Sequence, residues 1–172
     1  IDIEKGIVID AYLRYRIIDD TFEVKTKPSD TETILMDRSS KFDIRLGEKS
    51  FTFLNNQPIS LKGTRNGYVM IHTEKDNVSL YQRLTQDYIP GEKAQTAMES
   101  DRKPRLNNNN HYFLKISNNI TEIIPHKKEA YKAFPNHQDE LKDYIKDQKL
   151  KFKSDDQTED LTKLVEYYAS LK

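Results

Sequence analysis

Four histidines, His72, His111, His126 and His137, are the side chains best suited to proton transfer or metal ligation near neutral pH in this chain. No two stand four residues apart, the spacing that sets a pair of imidazoles on one helix face around zinc. His72 falls in a strand candidate and would have to meet His111 across a sheet to form an acid/base or metal-binding pair; a strand histidine on a polar face is the simpler expectation. His137 is followed by Asp139 and Glu140, but acidic residues in a first helical turn are favoured by the macrodipole without any cation. The carboxylates Asp19-Asp20, Asp155-Asp156 and Glu159-Asp160 read as turn and helix-start residues, whereas glycoside hydrolysis needs two carboxyl groups facing one cleft at a defined separation.

Several chemistries are excluded outright. The 172 residues contain no cysteine, which removes thiol nucleophiles, thiolate zinc sites and disulfides. None of the five glycines, Gly6, Gly47, Gly63, Gly67 and Gly91, is spaced to cradle a phosphate, and neither a G-x-S-x-G elbow nor a calcium loop is present. Catalytic residues, cofactors and metal ligands are therefore not assigned, and the chain is expected to be non-catalytic. Lys+Arg of 28 against Asp+Glu of 28 leaves no formal net charge, without the long-range attraction that nucleic-acid and anionic-membrane binders usually show. No apolar run approaches the ~20 residues of a membrane helix, so no transmembrane segment is expected.

The segment from Asp87 to Asn110 carries the remaining candidate. It holds Pro90-Gly91, Pro104, four consecutive Asn at 107–110 and little periodicity, and reads as a long loop. Arg102, Lys103 and Arg105 form a basic cluster within it and His111 follows directly, which makes these four residues a candidate binding loop. Lys127-Lys128 is a second, shorter basic cluster. Tyr12, Tyr15, Tyr68, Tyr81, Tyr88, Tyr112 and Phe113 fall on strand candidates, where aromatics fit core or sheet-face positions.

The elements that must position these residues follow from periodicity. Ile7 to Ile17 alternates with period two, Asp19-Asp20 offers a turn, and Phe22 to Thr26 alternates again, which predicts a hairpin closed by Pro28-Ser29-Asp30. Short strands are expected at Thr33–Met36, Lys41–Leu46, Ser50–Leu54, Tyr68–Thr73, Asn77–Leu84, Tyr112–Ile116 and Ile120–Ile124, separated by polar turns. After Ile124 the period becomes helical. One helix is expected between Pro125 and Pro135, a second from a cap at Asn136, and a third from a cap at Ser154 or Asp155, with Leu161, Leu164, Val165, Tyr168 and Leu171 on one face. The predicted class is α+β: an antiparallel β meander, sandwich or barrel-like, over residues 1–124, then three C-terminal helices over 125–172, packed with it as one domain. Ten lysines and ten acidic residues follow Pro125, so each part is neutral by itself.

The order of short motifs, Leu13-Arg14-Tyr15-Arg16, Phe22-Glu23-Val24, Gly67-Tyr68, Val78-Ser79-Leu80-Tyr81, Tyr112-Phe113-Leu114-Lys115 and then Lys127-Lys128 through Phe134-Pro135 to Leu161–Leu171, resembles a family of uncharacterised exported proteins from Bacteroidetes-type bacteria. The resemblance runs from about Leu13 to the end. It implies an export signal upstream, in keeping with a start at Ile1, and a periplasmic, outer-membrane-associated or extracellular location. It brings no catalytic residues.

These readings lead to an expected non-catalytic binding module of the cell envelope that recognises a protein or surface polymer. A glycan-acting hydrolase using carboxylates or histidines and an accessory subunit of an outer-membrane assembly are the alternatives.

Overall fold

The computed structural model describes residues 8–38, 42–55, 66–96 and 98–171. Strands β1 (Tyr12–Arg16), β2 (Thr21–Lys25) and β3 (Ile34–Leu35) form a three-stranded antiparallel sheet in chain order. The β1–β2 turn closes on Asp20, whose φ of 49° lies in the left-handed region that Asp tolerates better than most residues. Alternation predicts a longer first strand, yet residues 8–11 are not in one, and Ile7 lies outside the described residues. Tyr12 pairs with Lys25, the last residue of β2. The chain then turns away, held by the Asp30 N–H on the Lys27 carbonyl and the Lys27 N–H on the Asp30 carboxylate, so residues before Tyr12 have no ladder to join.

Six further strands, β4 (Ile44–Leu46), β5 (Lys49–Leu54), β6 (Gly67–Lys75), β7 (Val78–Ile89), β8 (Arg105–Ile116) and β9 (Asn119–Glu122), form an antiparallel meander in chain order. Lys41, expected to open the fourth strand, lies outside the described residues. The tight turns take left-handed residues where a two-residue connection demands them: Gly47 at φ 61°, Asp76 at 51° and Asn77 at 63°.

Ile44, Phe51, Met70, Gln82 and Tyr112 stand opposite one another in successive strand pairs and so share one sheet face. Two cores form on that face. At one end Phe22 of the small sheet meets Phe51 and Tyr68 edge-on, with ring centroids 5.3 and 4.9 Å apart. At the other, Val78, Leu80, Tyr112 and Leu114 lie beneath the C-terminal segments, where Leu141, Leu161, Leu164 and Val165 are fully buried. Each such side chain contributes roughly 1.5–3 kcal/mol of transfer free energy, which explains why helices of modest intrinsic propensity hold their place. A polar seam runs between the cores. His72 Nε2 bonds Gln82 Oε1 at 2.7 Å, Gln82 Nε2 reaches the Tyr112 hydroxyl at 3.5 Å, and that hydroxyl bonds Thr158 Oγ1 at 2.8 Å.

The C-terminal part has two α-helices, not three: α1 (Gln138–Asp147) and α2 (Gln157–Ser170). The segment between Pro125 and Pro135 makes only a short 3₁₀ turn, Ala130–Ala133. The nine residues between Pro125 and Pro135 leave too little room for the costly helix nucleus to propagate, and the Lys132 and Phe134 N–H groups bond three residues back. The α1 cap is His137, at φ 58°, rather than Asn136, whose side chain instead accepts the Tyr168 hydroxyl at 2.7 Å. Helix α2 starts from Asp156, two residues beyond Ser154, without a side-chain cap bond.

Candidate functional site

Strands β7 and β8 pair without a break over twelve positions, from Val78↔Ile116 to Ile89↔Arg105. Their neighbours do not follow them. Strand β6 pairs with β7 only between Val78 and Gln82, and β9 pairs with β8 only between Phe113 and Ile116. From Arg83 to Ile89 and from Arg105 to His111 the ribbon therefore has no third strand among the described residues. It forms an arm that no further strand flanks on either edge among the described residues.

The segment expected as a loop from Asp87 to Asn110 is thus strand at both ends, and only 90–104 connects β7 to β8. Side-chain amides hold the register that apolar residues cannot. Gln86 donates to Asn108 at 2.7 Å, Asn109 donates to Asp87 at 2.9 Å, and Asn107 donates to Asn109 at 3.0 Å. Arg83 is buried and Leu84 packs partly buried against the small-sheet core at the base of the arm, but from Thr85 outward no residue of β7 is fully buried, so the alternation by which strands are recognised is lost. At the far end Tyr88 and Leu106 stand directly opposite each other, 62% and 54% exposed. Gly91 closes the tip: a Cβ there would come within 2.6 Å of the Arg102 carbonyl oxygen and 2.9 Å of Pro104.

Three of the four predicted residues come together at the tip. Arg102, Lys103 and Arg105 line a groove of about 340 Å³ with Ile89, Pro90 and Glu92. Glu92 exchanges both backbone hydrogen bonds with Arg102 and lies 3.5 Å from its guanidinium, an exposed ion pair that contributes little to stability. His111 does not join them. It sits six residues away at the base of the arm, roughly 20 Å along an extended strand, half-buried with Nδ1 3.7 Å from a Glu122 oxygen. His72 and His111 have separate partners, Gln82 and Glu122. No group of three or more His, Asp or Glu among the described residues is placed to hold a metal ion.

A buried polar knot anchors the arm. Arg83, its first residue beyond the β6–β7 pairing, is 5% exposed and lies 3.3 Å from Asp20 and 3.0 Å from the Asn66 carbonyl through Nη2. The Asp20 carboxylate also accepts the Tyr15 hydroxyl at 2.7 Å, Arg38 Nη2 at 2.8 Å and the Tyr68 N–H at 3.2 Å. Burial pushes the Asp20 carboxyl above the usual range against the pull of the Tyr15 hydroxyl, Arg83 and Arg38. It pushes the Tyr15 hydroxyl up as well, and the adjacent Asp20 charge adds to that. Arg83 Nε is buried with no hydrogen-bond partner among the described residues. Gly67 leaves room for this packing, since a Cβ there would run into Arg83 Nη2 and lie 2.5 Å from Asp20 Oδ2.

No family model, curated protein or solved structure matches the chain in comparisons with each. The arm and its root therefore rest on their own geometry. Arg83 and Leu106 escape sequence reasoning, the first inside a strand candidate with nothing to mark it as buried, the second in what reads as loop; Tyr88 is read among the strand aromatics but not as the exposed partner of Leu106. Repetition of Asn is the one signal that marks their strand, and composition alone does not distinguish a ladder from a solvated run.

Proposed function

We propose that the protein is a non-catalytic binding module of the bacterial cell envelope whose β7–β8 arm engages a protein or surface polymer. The observation that carries this reading is a two-stranded ribbon whose edges pair with no other strand among the described residues, with Tyr88 opposite Leu106 at its exposed end. Isolated two-stranded ribbons are marginal in water, and exposed strand edges normally recruit another chain unless they are blocked. An extended polypeptide added to an edge would gain backbone hydrogen bonds, with Arg102, Lys103 and Arg105 selecting acidic residues beside it. The envelope location is supported by the order of motifs from Leu13 onward.

A photo-crosslinking amino acid at position 88, introduced in the cell that produces the protein, tests the arm. The expected result is one discrete adduct that disappears when Arg102, Lys103 and Arg105 are all changed to Gln. Adduct formation at position 163 on α2 but not at 88 would refute the arm as the binding element.

A further inference from the structure

A second surface, separate from the arm, concentrates positive charge that the neutral total conceals. Lys142 and Lys146 lie on α1 beside the buried Ile145, and Lys149 follows in the turn just after the helix. Lys127 and Lys128 approach from the segment before the 3₁₀ turn and Lys151 from the segment after α1, so that all six lysines line one groove of about 560 Å³ with Tyr131. All six are exposed. Only Lys146 has a carboxylate at ion-pair distance, Asp143 at 2.8 Å; the other five ammonium groups have none among the described residues. Asp139 and Asp147 also act on Lys146. The nearby Asp160 carboxylate is turned inward onto the backbone N–H groups of Lys151 and Phe152.

Two features choose the occupant. The charge comes entirely from lysines, which act as hydrated point charges without the planar fork that matches individual phosphates or carboxylates. The groove walls are mostly apolar, formed by lysine stems, Tyr131 and Ile145, an arrangement in which ammonium groups rim an apolar floor. We infer that this lysine groove docks the protein onto an anionic lipid bilayer, with the ammonium groups among the headgroups. A surface field is what point charges read, and the attraction accumulates lysine by lysine.

Sedimentation with vesicles tests this on the whole chain. Vesicles of equal parts phosphatidylcholine and phosphatidylglycerol are expected to bind it, increasingly as salt is lowered, and phosphatidylcholine vesicles are not. K142Q/K149Q should weaken binding roughly tenfold or more. K27Q/K75Q, which removes the same charge from outside the groove, should not; all four lysines are exposed, so both variants should melt like the parent. Equal binding to neutral vesicles, equal loss in the two variants, or retention on heparin or duplex DNA without binding to the anionic vesicles would overturn the inference.

Discussion

Arg83 Nη2 lies 3.3 Å from the Asp20 carboxylate across 63 residues of sequence, joining the root of the β7–β8 arm to the turn of the small sheet. The contact stands where β6–β7 pairing ends, so the polar pair takes over where the ladder stops. Asp20→Ala would leave Arg83 buried without its counter-charge. Breaking such a pair from one side costs about 3–5 kcal/mol. Urea unfolding should show that loss, and amide exchange should quicken in residues 83–89. A loss below about 1 kcal/mol, the range of an exposed pair, would mean the knot does not anchor the arm.

Gly67→Ala probes the same knot without removing a charge. The new methyl meets Arg83 Nη2 and Asp20 Oδ2 inside van der Waals contact, and overpacking of this kind destabilises by about 1–3 kcal/mol. Arg83→Ala in the same molecule vacates the space. The two changes should therefore be non-additive in a double-mutant cycle, and strict additivity would show that the clash is relieved elsewhere.

His72 ties stability to pH. Burial holds its pKa below the ordinary 6.5, with Lys49 acting in the same direction and the Gln82 hydrogen bond opposing. The unfolded chain then takes up the proton first as pH falls. Its contribution is complete above 6.5 and is lost as pH drops from 6.5 towards the folded value. Melting temperature recorded against pH should fall less steeply over that window in His72→Gln than in the parent, and parallel curves would rule the histidine out.

Asp160, at the start of α2, accepts the Lys151 N–H at 2.9 Å and the Phe152 N–H at 2.8 Å, holding a connection in which Phe152 has φ 52°. Alanine there strands a buried donor as well as removing two charge-assisted bonds, for a loss of about 2–4 kcal/mol by calorimetry or denaturant. Asp160→Asn keeps an acceptor and should lose less. Equal losses in the two variants would show that packing, not the hydrogen bonds, is what matters.

Strand and helix character were legible wherever one face of an element is buried. Phe51 and Phe53, and Leu161 through Tyr168, announce their elements by spacing, because one face is buried and the other is left to water. The arm escaped because amide ladders replace buried apolar rows along Asn107 to Asn110. The Pro125–Pro135 helix failed because spacing cannot show that a segment between two prolines is too short to propagate. Asn136 was read as a cap, and the Tyr168 hydroxyl claims it instead.

By itself the sequence determined the antiparallel meander, the two helical stripes, the lack of thiol and phosphate-loop chemistry, and the proximity of Arg102, Lys103 and Arg105, all consequences of local spacing or composition. Tertiary structure decided which distant polar groups meet. Asp20 reached Arg83, Gln82 reached His72 and Tyr112, and His111 parted from the basic tip. Tertiary structure also drew six lysines from three segments of a neutral chain into one groove. Net charge is a sum over residues, whereas binding responds to the local field, and only folding sets the distances on which that field depends.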